Sequence, residues 1–109
     1  MKKILISLLV SAILSVVALG AVMDGKWSAQ GSDKTAPKTL SIRLVGNSVQ
    51  GTMDGTALTR SGVAGEYFWF YVAREGGNFL YKGQIKNGKI ELREVGPHSN
   101  RTLTFSRAQ

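Results

Sequence analysis

Apolar residues recur at every second position through most of this chain, and clusters of turn-forming residues interrupt the alternation at regular intervals. In Thr39–Val45, for example, the apolar residues Leu40, Ile42 and Leu44 alternate with the polar residues Ser41 and Arg43. Successive side chains of a β-strand point to opposite faces, so a period of two gives a strand one apolar face. No helical period occurs after the first twenty residues, and the alternation therefore predicts an all-β domain.

Eight segments carry this alternation or are rich in the β-branched and aromatic residues that favour strands. They are Val22–Ala29, Thr39–Val45, Ser48–Met53, Thr56–Val63, Glu66–Arg74, Asn78–Lys86, Lys89–Val95 and Arg101–Arg107. Gly46-Asn47, Asp54-Gly55 and Asn87-Gly88 are two-residue turns between successive segments. Because nearly every connection is short enough for a hairpin, we predict a small antiparallel up-and-down β-barrel of about eight strands, with a β-sandwich as the alternative.

The first twenty residues have a different pattern, that of a secretory signal peptide. Lys2 and Lys3 are followed by an apolar run over residues 4–19, and Ala18 and Gly20 occupy the −3 and −1 positions of a cleavage site. We therefore predict an N-terminal signal helix at 1–20, a single β-barrel domain at 21–109 and a secreted or periplasmic protein. The alternative is an uncleaved anchor, because the run is just long enough to span a bilayer. Contact with the membrane is otherwise expected only through this segment before cleavage.

Composition limits the classes of partner. The chain has no cysteine, so no disulfide supports its core. Its net charge is +7, and removal of Lys2 and Lys3 leaves 12 basic and 7 acidic side chains, a net charge of +5. These charges are spread along the chain, which favours weak attraction to anionic surfaces and does not form the concentrated patch of a nucleic-acid-binding protein.

The segment Glu66–Arg74 contains five consecutive aromatic residues and is the most distinctive in the chain. Alternation divides them between two faces, with Phe68 and Phe70 on one face and Tyr67, Trp69 and Tyr71 on the other. Both faces are apolar or amphipathic, so we predict a central strand whose two phenylalanines are buried.

The outward row suggests a binding surface. Tyr and Trp combine apolar area with a hydrogen-bonding group, which suits them to contacts with sugar rings or partner proteins. The predicted ligand-binding residues are the three aromatics and three nearby cations: Tyr67, Trp69, Tyr71, Arg60, Arg74 and Lys82. The competing interpretation is that the aromatics are cross-strand partners that stabilise the sheet, shielded by Arg and Lys stems and by the loop at 30–38.

The barrel interior provides a second candidate site. Gly25, Gly51 and Gly83 share inward parity with large side chains, and such glycines either relieve crowding or leave room for a ligand. The predicted cavity-lining residues are Trp27, Met53, Phe68, Tyr81 and Phe105.

Catalytic chemistry finds little support. The single histidine, His98, lies in a Gly-Pro loop beside Ser99, and no cysteine is present. The acidic residues fall mostly in turns or at strand ends, where they favour solubility, and Glu91 and Glu94 have opposite strand parity. We expect no catalytic residues, no metal site and no cofactor, since a lone histidine and dispersed carboxylates form no ligand cluster.

Several motifs resemble those of small secreted bacterial domains of no assigned function: Asp24-Gly25-Lys26-Trp27, Leu44-x-Gly46-Asn47-x-Val49-x-Gly51-Thr52 and Tyr81-x-Gly83-x-Ile85. Gly25-Lys26-Trp27 and Gly51-Thr52 also resemble the start of avidin-type biotin-binding barrels, of the calycin architecture. That resemblance implies a barrel fold. Ala29 and Met53 stand where the family carries a polar biotin contact and a tyrosine, so the biotin-site residues are not matched.

These observations together favour a secreted, non-enzymatic β-barrel binding module. Its expected ligand is a carbohydrate or a cell-envelope component, and its expected partners are a glycan, an anionic surface or an envelope protein, bound through the aromatic strand face. The alternatives are a carrier of a small apolar ligand in the barrel cavity and a purely structural envelope domain.

Overall fold

The computed structural model describes residues 23–29 and 35–108, and the predicted signal peptide lies outside them. The strands are β1 (Gly25–Ala29), β2 (Thr39–Val45), β3 (Ser48–Met53), β4 (Thr56–Ala64), β5 (Tyr67–Arg74), β6 (Gly77–Lys86), β7 (Lys89–Val95) and β8 (Asn100–Arg107). Each strand pairs antiparallel with the next, and β8 pairs with β1 to close an eight-stranded up-and-down barrel. This architecture confirms the predicted fold.

Strand boundaries agree with the sequence pattern to within about two residues, except at the start of the barrel. The first strand was predicted from Val22, but β1 begins at Gly25. Met23 precedes it as a buried residue, and its carbonyl accepts a hydrogen bond of 2.8 Å from the Trp27 indole nitrogen. The chain therefore bends into the barrel before the ladder with β2 starts.

Two of the hairpins use the turn chemistry that their sequences predict. Asp54 and Gly55 have φ values of 50° and 83°, and Asn87 and Gly88 have values of 55° and 73°. Positive φ at both central residues is the type I′ geometry, whose twist matches that of the flanking strands. Because both turns contain only two residues, they fix the register of the strands that they join.

Inward-facing side chains fill the barrel. Phe68 is 1% exposed and Phe70 is 0% exposed, as their alternation predicts. The Phe68 and Phe70 rings stack with centroids 6.3 Å apart, and the Tyr81 ring lies 5.4 Å from that of Phe70. Gly83 pairs with Phe68 in the ladder, and a Cβ built there would lie 2.5 Å from the Phe68 ring. The glycine thus makes room for the aromatic side chain.

Candidate functional site

The outer face of the sheet β4–β8 forms a groove of about 660 Å³, here called the outer groove. Pairing between strands places its residues in rows. Trp69 of β5 lies opposite Lys82 of β6, which lies opposite Arg93 of β7. The residues that line it are Arg60, Tyr67, Phe68, Trp69, Tyr71, Leu80, Lys82, Gly83, Gln84, Glu91, Arg93 and Thr102. Aromatic residues of β5 therefore line the groove together with charged residues of β4, β6 and β7.

Trp69 is held flat against the sheet. Its ladder partner on β4 is Gly62, and a Cβ there would lie 2.6 Å from the indole ring. The Tyr71 ring meets the indole edge to face, with centroids 6.0 Å apart. Trp69 nevertheless remains 36% exposed and Tyr67 60% exposed, so both rings offer surface to a ligand.

A β-bulge in β4 positions a cation at the groove. Leu58 pairs with Val72 and Ser61 with Phe70, so β4 contains one more residue than β5 over this interval. The guanidinium of Arg60, inside the bulge, lies 5.9 Å from the centroid of the Tyr71 ring. This separation is within the range of a cation–π contact.

Lys82 and Arg93 are adjacent across β6 and β7, and both are exposed. Neither forms a hydrogen bond or an ion pair with a residue that the structure describes. Glu91 is the one carboxylate among the lining residues. The outer groove therefore has more positive than negative side chains, and two of its cations keep their donors available.

The structure brings together five of the six predicted surface residues and places the sixth elsewhere. Tyr67, Trp69, Tyr71, Arg60 and Lys82 all line the outer groove. Arg74 does not, because it follows Val72 at even spacing and so shares the inward parity of the core residues. The described part of the loop proposed to shield the row, residues 35–38, lies at one end of the barrel and lines no part of the groove.

At that end of the barrel lies a second group of polar residues, here called the Glu94 cluster: Arg74, Tyr81, Glu94, Ser99 and Arg101. Glu94 is 0% exposed, which corrects the expectation that acids at strand ends serve solubility. It shares the inward parity of Ile90 and Leu92, so the sheet directs it into the barrel. Glu91 and Glu94 face opposite sides of β7, as expected from the sequence: Glu94 is buried in the barrel, and Glu91 lines the outer groove.

Four donors surround the Glu94 carboxylate. Oε2 accepts hydrogen bonds from the Tyr81 hydroxyl at 2.7 Å and from Arg74 at 3.2 Å. Oε1 accepts from Arg101 Nε at 2.8 Å and from the Ser99 hydroxyl. Both oxygens are thus shared between neutral and charged donors, which is how buried carboxylates are usually stabilised.

These contacts set the protonation states of the cluster. Burial alone raises the pKa of Glu94, but hydrogen bonds from Ser99, Tyr81 and Arg101 outweigh it and leave that pKa below its usual value. Burial, reinforced by the hydrogen bond to Glu94, raises the pKa of Tyr81. A carboxylate with a lowered pKa is a weak base, so the cluster is better suited to holding structure than to proton transfer.

The cluster also contacts the segment 35–38, the described residues that precede β2. The Thr35 carbonyl accepts hydrogen bonds from Arg74 at 3.0 Å and from Arg101 at 3.2 Å. Next to it, Asp54 Oδ1 accepts from the backbone nitrogens of Lys38 and Thr39 at 2.9 and 2.8 Å. The buried carboxylate thus positions two arginines that in turn hold Thr35.

The predicted cavity-lining residues belong to the packed core. Trp27, Met53, Phe68, Tyr81 and Phe105 are each 0–1% exposed. Tyr81 spans the boundary between the core and the Glu94 cluster, because its ring stacks on Phe70 while its hydroxyl bonds to Glu94. Of these five, only Phe68 also borders the outer groove.

His98 and Ser99 lie in the loop between β7 and β8. His98 is exposed and makes no hydrogen bond with a described residue, whereas Ser99 donates to Glu94. Within the described ranges, no group of three or more His, Cys, Asp or Glu side chains is placed to hold a metal ion. None of the helical residues in the same ranges forms a helix long and apolar enough to cross a membrane.

Comparison with known proteins adds no family to this description. No protein-family model, curated protein or solved structure matches the chain.

Proposed function

We propose that this protein is a secreted, non-enzymatic β-barrel module that binds a carbohydrate through the outer groove. The observation that supports this function best is the row of exposed rings on β5, flanked by cations whose donors are unoccupied. The flat faces of Tyr and Trp stack on the apolar faces of sugar rings, and their polar edges hydrogen-bond to hydroxyl groups.

Three of the residues that line the groove form a row along β5, which favours a chain-like ligand over a single small molecule. Tyr67, Trp69 and Tyr71 are two residues apart in sequence, so their Cα atoms repeat at about 7 Å along the strand. A saccharide chain lying along β5 contacts successive rings in turn. Binding energy in such interfaces is concentrated in Trp, Tyr and Arg side chains, and Trp69 is the central one.

The test is binding to a glycan array, followed by affinity measurement on the polysaccharide that binds best. Trp69→Ala should weaken binding about 30-fold, the effect of losing a central aromatic contact of about 2 kcal/mol. Val45→Ala, a truncation of a 42% exposed side chain on β2, is the matched control and should bind as the wild type does. Equal affinity of the wild type and Trp69→Ala for every glycan that binds would refute the proposal.

A further inference from the structure

The outer groove carries a charge arrangement that a neutral sugar does not need. Lys82 and Arg93 face each other directly across β6 and β7, where neighbouring strands are only about 4.8 Å apart. Like charges placed directly opposite each other on a sheet are destabilising. Glu91 lines the same groove, but neither cation forms an ion pair with a described carboxylate, so a ligand that brings negative charge would offset their repulsion.

We infer that the groove selects a polysaccharide of uronic acids, whose carboxylates bind to Lys82 and Arg93 while the sugar rings stack on Trp69. This inference rests on the proposed function and names its ligand class. Arg93 offers a planar fork of donors that matches a carboxylate, and Lys82 adds a mobile point charge beside it.

The row geometry fits this ligand. Trp69, Lys82 and Arg93 are consecutive ladder partners on β5, β6 and β7, so the first cation lies one strand from the Trp69 backbone. The indole itself lies over Gly62 on β4, on the other side of β5. The carboxylate of a uronic acid is bonded directly to a ring carbon, so a sugar stacked on the indole directs its acid group toward Lys82 when that carbon faces β6. Arg60, on the opposite side of the aromatic row, supplies a third cation for the next acid group along a chain.

An anionic membrane surface shares the charge but fits the shape less well. Proteins that lie on bilayers insert protruding apolar side chains below the headgroups. Here Trp69 lies flat against Gly62 on the sheet and the cations stand around a groove. A chain-like polyanion enters such a groove, whereas a flat surface contacts only its rims.

The experiment compares polygalacturonate with its methyl ester, which has the same sugar backbone with its carboxylates masked. Affinities are measured for the wild type, Trp69→Ala and the double variant Lys82→Gln/Arg93→Gln. The matched control, Lys26→Gln/Arg43→Gln, removes two exposed cations on β1 and β2, across the barrel, with the same change in net charge. Two alternative polyanions are tested beside them: dextran sulfate, which contains no uronic acid, and vesicles that contain anionic lipid.

We expect the wild type to bind polygalacturonate at least tenfold more tightly than its ester, with the difference reduced at high salt. The Lys82/Arg93 double variant should lose about tenfold or more in affinity for the acid form and little for the ester, while the Lys26/Arg43 control keeps both affinities. Circular dichroism of each variant confirms that the barrel is intact.

Each other outcome has a distinct meaning. Equal binding of acid and ester that still depends on Trp69 overturns the acid selectivity and leaves the proposed function standing. Equal losses in the two double variants attribute the effect to net charge and overturn the assignment to Lys82 and Arg93. Tighter binding to dextran sulfate or to vesicles, with the same dependence on Lys82 and Arg93, overturns the uronic acid as ligand. Binding to no glycan at all overturns both proposals.

Discussion

Replacing Glu94 with glutamine tests whether the buried carboxylate stabilises the barrel. The substitution keeps the size of the side chain and one carbonyl oxygen, but an NH₂ group replaces the other oxygen. That group faces donors, because each oxygen of Glu94 accepts from one arginine and one hydroxyl. Two arginines lose their counter-charge at the same time.

The size of the effect follows from the burial of the partners. Removing one member of a buried ion pair costs about 3–5 kcal/mol, because the remaining charge stays uncompensated. The side chains of Arg74 and Arg101 are 24% and 29% exposed, so water partly replaces the lost contacts. We therefore expect a loss near the lower limit, about 3 kcal/mol. For a domain of this size, that corresponds to a fall in Tm of about 12–24 °C.

The assay is equilibrium unfolding in urea followed by tryptophan fluorescence. Trp27 is buried, with the Arg107 guanidinium 4.3 Å from its ring centroid, and its emission shifts when the barrel opens. With an m value of about 1.5 kcal/mol/M, the midpoint should fall by roughly 2 M urea. An unchanged m value is required, since it shows that the variant unfolds from an equally compact state.

The control is Glu91→Gln, which removes a carboxylate from the same strand on its outer face. Glu91 forms no ion pair with a described residue, so its substitution should change the free energy of unfolding by less than about 0.5 kcal/mol. If both variants shift the midpoint equally, the Glu94 cluster is not a net source of stability and the reasoning is wrong.

Two further predictions concern the interior. The folded state keeps the pKa of Glu94 below its unfolded value of about 4.3. The carboxylate's contribution to the free energy of unfolding is therefore complete above that pH and is lost as the pH falls through the folded pKa. When the pH is lowered below about 4.3, the urea midpoint of the wild type should decrease, and that of Glu94→Gln should change less. Gly83→Ala places a methyl group 2.5 Å from Phe68 and 2.6 Å from Leu92, and overpacking of this kind should lower the free energy of unfolding by about 1–3 kcal/mol in the same assay. A stabilised Gly83→Ala protein would instead indicate unfilled space in the barrel, and so would favour the carrier of a small apolar ligand.

The fold was predictable because its two determinants are local. Alternation assigns each side chain to a face, and the two-residue turns fix which residues pair. Asn87-Gly88 alone sets Lys86 opposite Lys89 and, counted back along both strands, Lys82 opposite Arg93. The opposition of Lys82 and Arg93 could therefore be predicted from the sequence. Arg93 was nevertheless absent from the predicted ligand-binding residues, because it lies on β7, two strands away from the aromatic row on β5.

The Glu94 cluster was only half predictable. Parity points Arg74, Glu94 and Arg101 inward at the same end of the barrel, and the register sets Tyr81 opposite Glu94. What parity does not give is the path of the loop after β7, which brings Ser99 back to the carboxylate. That loop has no period, and its conformation depends on contacts between residues that are distant in the chain.

The two faces of β5 separate stability from binding. Its inward residues pack the core and end in Arg74, which belongs to the Glu94 cluster, whereas its outward residues form the floor of the outer groove. Each face is fitted to its neighbours by a glycine: Gly62 lets Trp69 lie close to β4 on the groove side, and Gly83 lets Phe68 lie close to β6 on the core side. A rigid strand of this kind loses little conformational entropy when it binds, so exposed rings on it are a more effective binding surface than the same rings on a loop.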